Sequence, residues 1–269
     1  MVFSVITLCG GQVTVDTQPI ESVAELIRQL QKLNLASRTQ AHWRHWFRGH
    51  SKVGWRLAPG VYRDSFGSFL NQGDRLKSEQ SLYQQFRVMS AGLRAGQESV
   101  EEIYFLQQHY RMPTRLLDWT TSALAGLYFA CCGDADADGE IFFLDAYKFE
   151  PRNKQRGIAT SRRKEFCEAM EVINKWRKVG DFPDDLIPVR PDTFDRRITL
   201  QRSCFTFHVP KHPELTESEN PSLKKWVVLA SKKQPILREL SLLGIDDFSI
   251  YGDFEHLAEW LKKSHNVRP

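Results

Sequence analysis

The segment Pro113–Gly133, PTRLLDWTTSALAGLYFACCG, constrains the fold more than any other stretch of the 269-residue chain. Pro113 ends a preceding helix, because the residue before a proline is pushed out of helical backbone. TRLL then reads as a strand and Asp118–Thr121 as a turn. ALAGLYFACC follows with small or apolar residues on every side, so the helix it forms must be covered all round. Gly133 supplies a C-terminal stop, and GEIFFLDAY continues as a buried strand.

The flanking elements have clear signals. Val23, Leu26, Ile27, Leu30 and Leu33 form one helical stripe, with Ser22 and Glu25 spaced as a capping box. Ser99 and Glu102 make a second box, opening a helix that runs to about Tyr110, and a further helix is expected from about Ser78 to Leu93. The start, MVFSVITLCGGQVTV, reads as a first strand, and another is expected around Trp46–Arg48. Later, RITLQ, CFTFHV, KWVVLAS and FSIY read as strands, and PILRELSLLGI and DFEHLAEWLKK as helices. A basic helical insertion at about 150–195 turns Phe166, Met170, Ile173 and Trp176 inward. Without steady alternation of strand and helix, the pattern points to a single α+β domain over residues 1–269.

Hydrophobic residues make up 41% of the chain and charged residues 26%, which excludes disorder, coiled coil and collagen. No run reaches the ~18 apolar residues of a membrane span. The opening residues lack a signal peptide's basic start, and five cysteines without a CxxC pair suggest reduced thiols. The chain is expected to be cytoplasmic with no membrane partner. A net charge of +4 is too small to imply nucleic acid by itself, but RNKQRGIATSRR carries five basic residues and no acid.

Walker A, GxGxxG, GxSxG and HExxH patterns are absent. Asp134, Asp136 and Asp138 alternate like a calcium loop, but Asp145 stands where a bidentate Glu is needed, and strand rather than helix follows. His42, His45 and His50 lack a fourth ligand for zinc. No metal is therefore expected. The densest group of polar and aromatic residues is WFRGH (46–50), WRLAP (55–59) and QHYRMPTRLLDWT (108–120). Guanidinium offers a fixed fork of donors for phosphate or carboxylate. Arg115 and Asp118, three apart, are expected to form a partly buried structural pair.

These residues resemble the FRG domain family, named for its phenylalanine–arginine–glycine motif. WFRGH, WRLAP, the QHY…PTRLLDWT…A…YFA block, RITLQRSCFTFH and GI…YGDFEHLAEWL carry the resemblance. Arg111 departs from it, since the family commonly has glycine after HY. A second resemblance is to ADP-ribosyltransferases, in the aromatic–Arg–Gly motif, in Trp119-Thr120-Thr121-Ser122 before an alanine-rich helix, and in the late Glu255.

The second resemblance implies a split sheet and an enzyme that uses NAD as substrate, such as a bacterial toxin or antiviral defence effector. It gives Arg48 the NAD diphosphate or ribose, with Gly49 allowing close approach. Thr120 or Ser122 would support the nicotinamide ribose, and Tyr110 or Trp119 would stack on the nicotinamide. Glu255 would stabilise charge as nicotinamide leaves, and His109 would assist by hydrogen bonding or proton transfer. The acceptor would be nucleic acid or protein, and a neutralising partner protein would fit a toxin. The alternative is a non-enzymatic nucleic-acid-binding or sensing module, with Arg152, Lys154, Arg156, Arg162, Arg163 and Lys164 on phosphates and Trp176 stacking. A metal-dependent nuclease using Asp145 and Lys148 ranks third, because their spacing misses the usual acid–x–lysine pattern.

Overall fold

The computed structural model describes residues 18–33, 44–67, 70–94, 96–148, 158–160, 162–191 and 196–265. The expected first strand lies outside them. In chain order the elements are α1 (Val23–Lys32), β1 (His45–His50), α2 (Gln72–Met89), α3 (Val100–His109), β2 (Leu116–Thr120), α4 (Ala123–Cys131), β3 (Gly139–Asp145), β4 (Ala159–Thr160), α5 (Lys164–Asn174), β5 (Ile187–Arg190), α6 (Arg196–Leu200), β6 (Ser203–Phe207), β7 (Leu223–Val228), α7 (Ala230–Leu242), α8 (Asp247–Tyr251) and α9 (Phe254–Ser264). The fold is α+β. The strands form one sheet in the order β4-β5-β6-β2-β1-β3-β7, antiparallel at every pairing except β4–β5. The separate sheets implied by the transferase resemblance are therefore not seen among the described residues.

Residues paired across a ladder share a face, so register shows what each side of the sheet carries. Leu116, Phe205, Phe207, Phe47, Phe143 and Trp226 all point to one side. Two separate cores cover that side. Leu116, Phe205 and Phe207 pack with Tyr83, Phe105 and Phe166 of α2, α3 and α5. Phe47, Phe143 and Trp226 pack with α1, α4 and α7 through Leu26, Leu127 and Ile236. The other side buries Trp46, Leu117, Trp119, Phe142 and Leu144 beneath loop residues that include Leu57 and Leu215.

The all-apolar α4 occupies the position its composition demands, against β1 and β3. The approach is close enough that a Cβ on Gly49 would overlap the backbone of Gly126 and Ala130, and one on Gly139 would overlap the Ala130 carbonyl. The Ser99–Glu102 capping box is complete at α3. At α1 only half forms: Ser22 accepts from the Glu25 amide, while the Glu25 carboxylate turns to Arg28 and Gln29.

Several expected elements differ. RITLQ falls largely on helix α6, and FSIY belongs to helix α8, where Asp246 caps the Ser249 amide. Asp118 lies within β2, so strand replaces the expected turn. Trp176 is exposed at a φ of +53° just past α5 and does not join the inward stripe of Phe166, Met170 and Ile173. The Arg115–Asp118 pair does not form. Arg115, just before β2, is buried against Glu79 of α2 at 2.8 Å, while Asp118, within β2, is half-exposed beside Gln108 and Arg48.

Neither Glu79 nor Arg115 is reached by solvent, so removing one charge leaves the other uncompensated. Glu79→Gln is expected to cost about 3–5 kcal/mol of folding stability, read from urea unfolding. A loss below about 1 kcal/mol, the scale of an exposed pair, would contradict this assignment.

Candidate functional site

The two helix-covered cores stand side by side on one face of the sheet, and a cleft of about 520 Å³ lies between them. Beneath it the sheet is barely joined. Between β1 and β2 the single pair in register is Phe47 with Thr120, whereas β1 and β3 are paired along the whole of β1. On the Asp118 side of that pair the ladder between β1 and β2 has ended, and the Asp118 carbonyl accepts from Arg48 Nη1 at 2.6 Å instead. The Arg48 side chain thus bridges the parting of the strands.

Arg48 is largely buried, and its Nε donates to His50 Nε2 at 2.9 Å. Burial lowers its pKa to about 10, against the pull of the Asp118 charge and with help from Arg63. It therefore remains a cation at neutral pH. Asp118 is half-exposed and is the one carboxylate among the residues lining the cleft. Gln108 Nε2 donates to it at 2.7 Å, and Thr114 holds Gln108 through its amide oxygen. Arg48 Nη1 approaches the same carboxylate at 3.8 Å. Arg63 and Arg111 also line the cleft, so three guanidinium groups face one carboxylate. Phe105, Phe129 and Tyr251 give it apolar walls.

The sequence-predicted residues divide. Arg48, Gly49, His109, Trp119 and Thr120 line the cleft. Gly49, however, is required by helix α4, whose backbone occupies the space of its missing Cβ. Trp119 packs in the far-face core, its indole N–H donating to Thr206 at 3.1 Å. The Thr120 hydroxyl donates to the Gln201 carbonyl and accepts from the Ser122 amide. Ser122 caps α4 by accepting from the Ala125 amide and does not line the cleft. Tyr110 is exposed outside the cleft lining. Glu255 is exposed in the first turn of α9 and also lies outside it. The wall on that side is Tyr251, stacked on His256 at 4.0 Å. Arg63, Gln108 and Gln201 were not singled out from sequence, although Gln108 opens the QHY motif.

In the basic insertion, Arg152, Lys154 and Arg156 lie outside the described residues. Arg163 pairs with Glu165 at 3.2 Å and Lys164 with Glu168 at 3.6 Å; Arg162 stands just before them at the start of α5. His42 is also outside. Asp134 accepts from the Asp136 and Ala137 amides, and Asp138 caps the Ala230 amide of α7. Asp145 takes a two-point bond from Arg44, while Lys148 stays 4.0 Å away. Among the described residues, no group of three or more His, Cys, Asp or Glu side chains is arranged to hold a metal ion.

Residues 43–139 match the family model of the FRG domain. Over that span the chain is similar to the FRG domain. No curated protein and no solved structure matches the chain. The matched span runs from β1 through α4 to the first residue of β3, and includes Arg48, Gln108 and Asp118. In the matched span the three motif residues have different tasks. Phe47 packs beneath α4 and holds the one ladder pair, Arg48 bridges the parting strands, and Gly49 admits the helix. The later segments resembling the family lie beyond the match. Among the described residues, no helix is long and apolar enough to cross a membrane.

Two buried histidines link the site to pH. Burial, with Arg48 and Arg63 nearby, lowers His50 to about 3. Burial also lowers His208 to about 3, where its ring joins the Thr206 hydroxyl and the His212 carbonyl. Their ordinary value is 6.5. Between the two values the unfolded chain binds more protons than the folded one, so stability falls as pH drops below the ordinary value. The expected loss approaches about 1.4 kcal/mol per pH unit for each ring. Urea midpoints at about pH 7.5 and about pH 5 test this linkage. Equal midpoints would mean the rings are not held neutral.

Proposed function

We propose that the cleft binds NAD and that the chain is an ADP-ribosyltransferase-like enzyme. The observation that carries this reading is the pairing of Arg48 with the cleft's one lining carboxylate, Asp118, where the sheet parts. The volume falls within the usual range for small-molecule sites, and the excess of guanidinium over carboxylate favours a phosphate-bearing ligand. Arg48 holds the diphosphate with the part of its fork left over from Asp118 and His50. Phe129 and Tyr251 offer apolar surface to a ring.

NAD supplies an N-glycosidic bond whose electron pair leaves with nicotinamide, while the acceptor's nucleophile bonds to the ribose carbon and gives up a proton. Asp118 stands in for Glu255, stabilising positive charge at that carbon and orienting a ribose hydroxyl. Gln108 is a positioning residue that fixes the carboxylate. His109, at the end of α3 and in the cleft lining, takes the acceptor's proton.

Asp118→Asn is expected to lower nicotinamide release by about 100-fold or more, the scale of a lost electrostatic contact, with NAD affinity and melting temperature nearly unchanged. Arg48→Gln is expected to lose NAD binding. Titration calorimetry, nicotinamide release and thermal melting separate these effects. A wild-type protein that neither binds nor cleaves NAD overturns the reading.

A further inference from the structure

Arg111 is the residue just past the last turn of α3. Its amide donates to the Gln108 carbonyl and the Met112 amide to the Gln107 carbonyl, closing the helix in the manner of a Schellman end. This geometry requires left-handed backbone, and Arg111 has a φ of +60°. Glycine adopts that conformation without steric cost, whereas a side chain's Cβ crowds the carbonyl oxygen. A non-glycine residue held there is a place to look for function.

The Arg111 side chain lines the cleft, as does Arg63. Arg63 Nε donates to the Ala58 carbonyl at 2.9 Å, which anchors that guanidinium through one of its three nitrogens. Among the described residues, neither arginine has a carboxylate within ion-pair distance, and Asp118 is engaged by Gln108 and Arg48. Both side chains are solvent-exposed, so each keeps its water until an anion arrives. Arg63 also bears on Arg48 and His50, lowering the pKa of both through its charge. Arg48 is thus already paired with Asp118, whereas Arg63 and Arg111 are cations of the cleft with no carboxylate of their own among the described residues.

We propose that Arg111 and Arg63 form a second anion subsite in the cleft. The preferred ligand is then a dinucleotide bearing an additional phosphomonoester, the NADP class, in place of NAD. This rests on the reading of the cleft as a dinucleotide site and specifies which dinucleotide it takes. Arg48 binds the diphosphate shared by both ligands, and Arg111 with Arg63 binds the phosphomonoester found in one. Planar guanidinium groups suit this task because two parallel donors match two phosphate oxygens.

The test measures NAD and NADP affinity by titration calorimetry for the wild type, Arg111→Gly and Arg63→Gln, with thermal melting of each. The wild type is expected to bind NADP at least roughly tenfold more tightly than NAD, the scale of one charge-assisted contact. Arg111→Gly is expected to remove most of that preference, lower NAD affinity far less than NADP affinity and raise the melting temperature by relieving the left-handed backbone. Arg63→Gln is expected to reduce the preference without the gain in stability. Equal wild-type affinity for the two ligands, or a preference that survives in both variants, overturns the second subsite while leaving the dinucleotide reading intact. Binding of neither ligand overturns both.

Discussion

Arg115 and Glu79 meet out of water at 2.8 Å, and the groups around them explain why β2 begins where it does. The Tyr104 hydroxyl donates to Glu79 and accepts the Arg115 amide, each at 2.7 Å. The Tyr62 hydroxyl accepts from the guanidinium, whose face lies 4.2 Å from the Phe182 ring. Every partner comes from a different segment: α2, α3, the 3₁₀ turn at Gly60–Tyr62 and the loop before β5. Desolvating two charges offsets much of their attraction, so the pair contributes less to net stability than its geometry suggests. Its structural effect is to fix α2 and α3 to the first residues of the strand. Tyr104 and Gln108 are one helical turn apart, so the contact that seats Tyr104 also sets the reach of Gln108 to Asp118.

A second constraint comes from backbone packing. The close approach of α4 to β1 and β3, through Gly49, Gly126 and Gly139, draws β1 toward one helix layer. Meanwhile β2 is drawn to the other by the ladder with β6 and by the Arg115 cluster. The strands separate after one shared pair because each follows its own core. A largely buried arginine at that point is well suited to its place, since it satisfies a carbonyl that has lost its ladder partner. What remains of its donor capacity faces the cleft.

Much of this was legible in the sequence. The apolar run of α4 required burial, the Ser99 box marked a helix start, and WFRGH with QHY…LLDWT held most of the cleft's charged and polar side chains. The misses have physical causes. Arg115 and Asp118 stand three apart, the spacing of neighbours on a helix, but they belong to a strand and the bend before it, where that spacing brings no contact. RITLQ and FSIY are short runs without a period long enough to distinguish strand from helix. A glycine beside an arginine gives no sign of whether its open side meets a ligand or a helix. Glu255 follows an aspartate cap and begins an amphipathic helix, a pattern that also describes an exposed helical turn. The Glu79 partner of Arg115 is 36 residues away and carries no local signal at all.

The single Phe47–Thr120 pair has a mechanical consequence. Two halves, each with its own sheet segment and helix layer, meet along a seam with little backbone bonding between β1 and β2. Such a seam is held by side chains more than by backbone, and the far-face core of Trp46, Leu117, Trp119, Phe142 and Leu144 runs beneath both halves. Arg48 is a tether across that seam, fixed on one half and gripping a carbonyl of the other. Its guanidinium is thus shared between holding the seam and facing the cleft, two tasks drawn from one side chain.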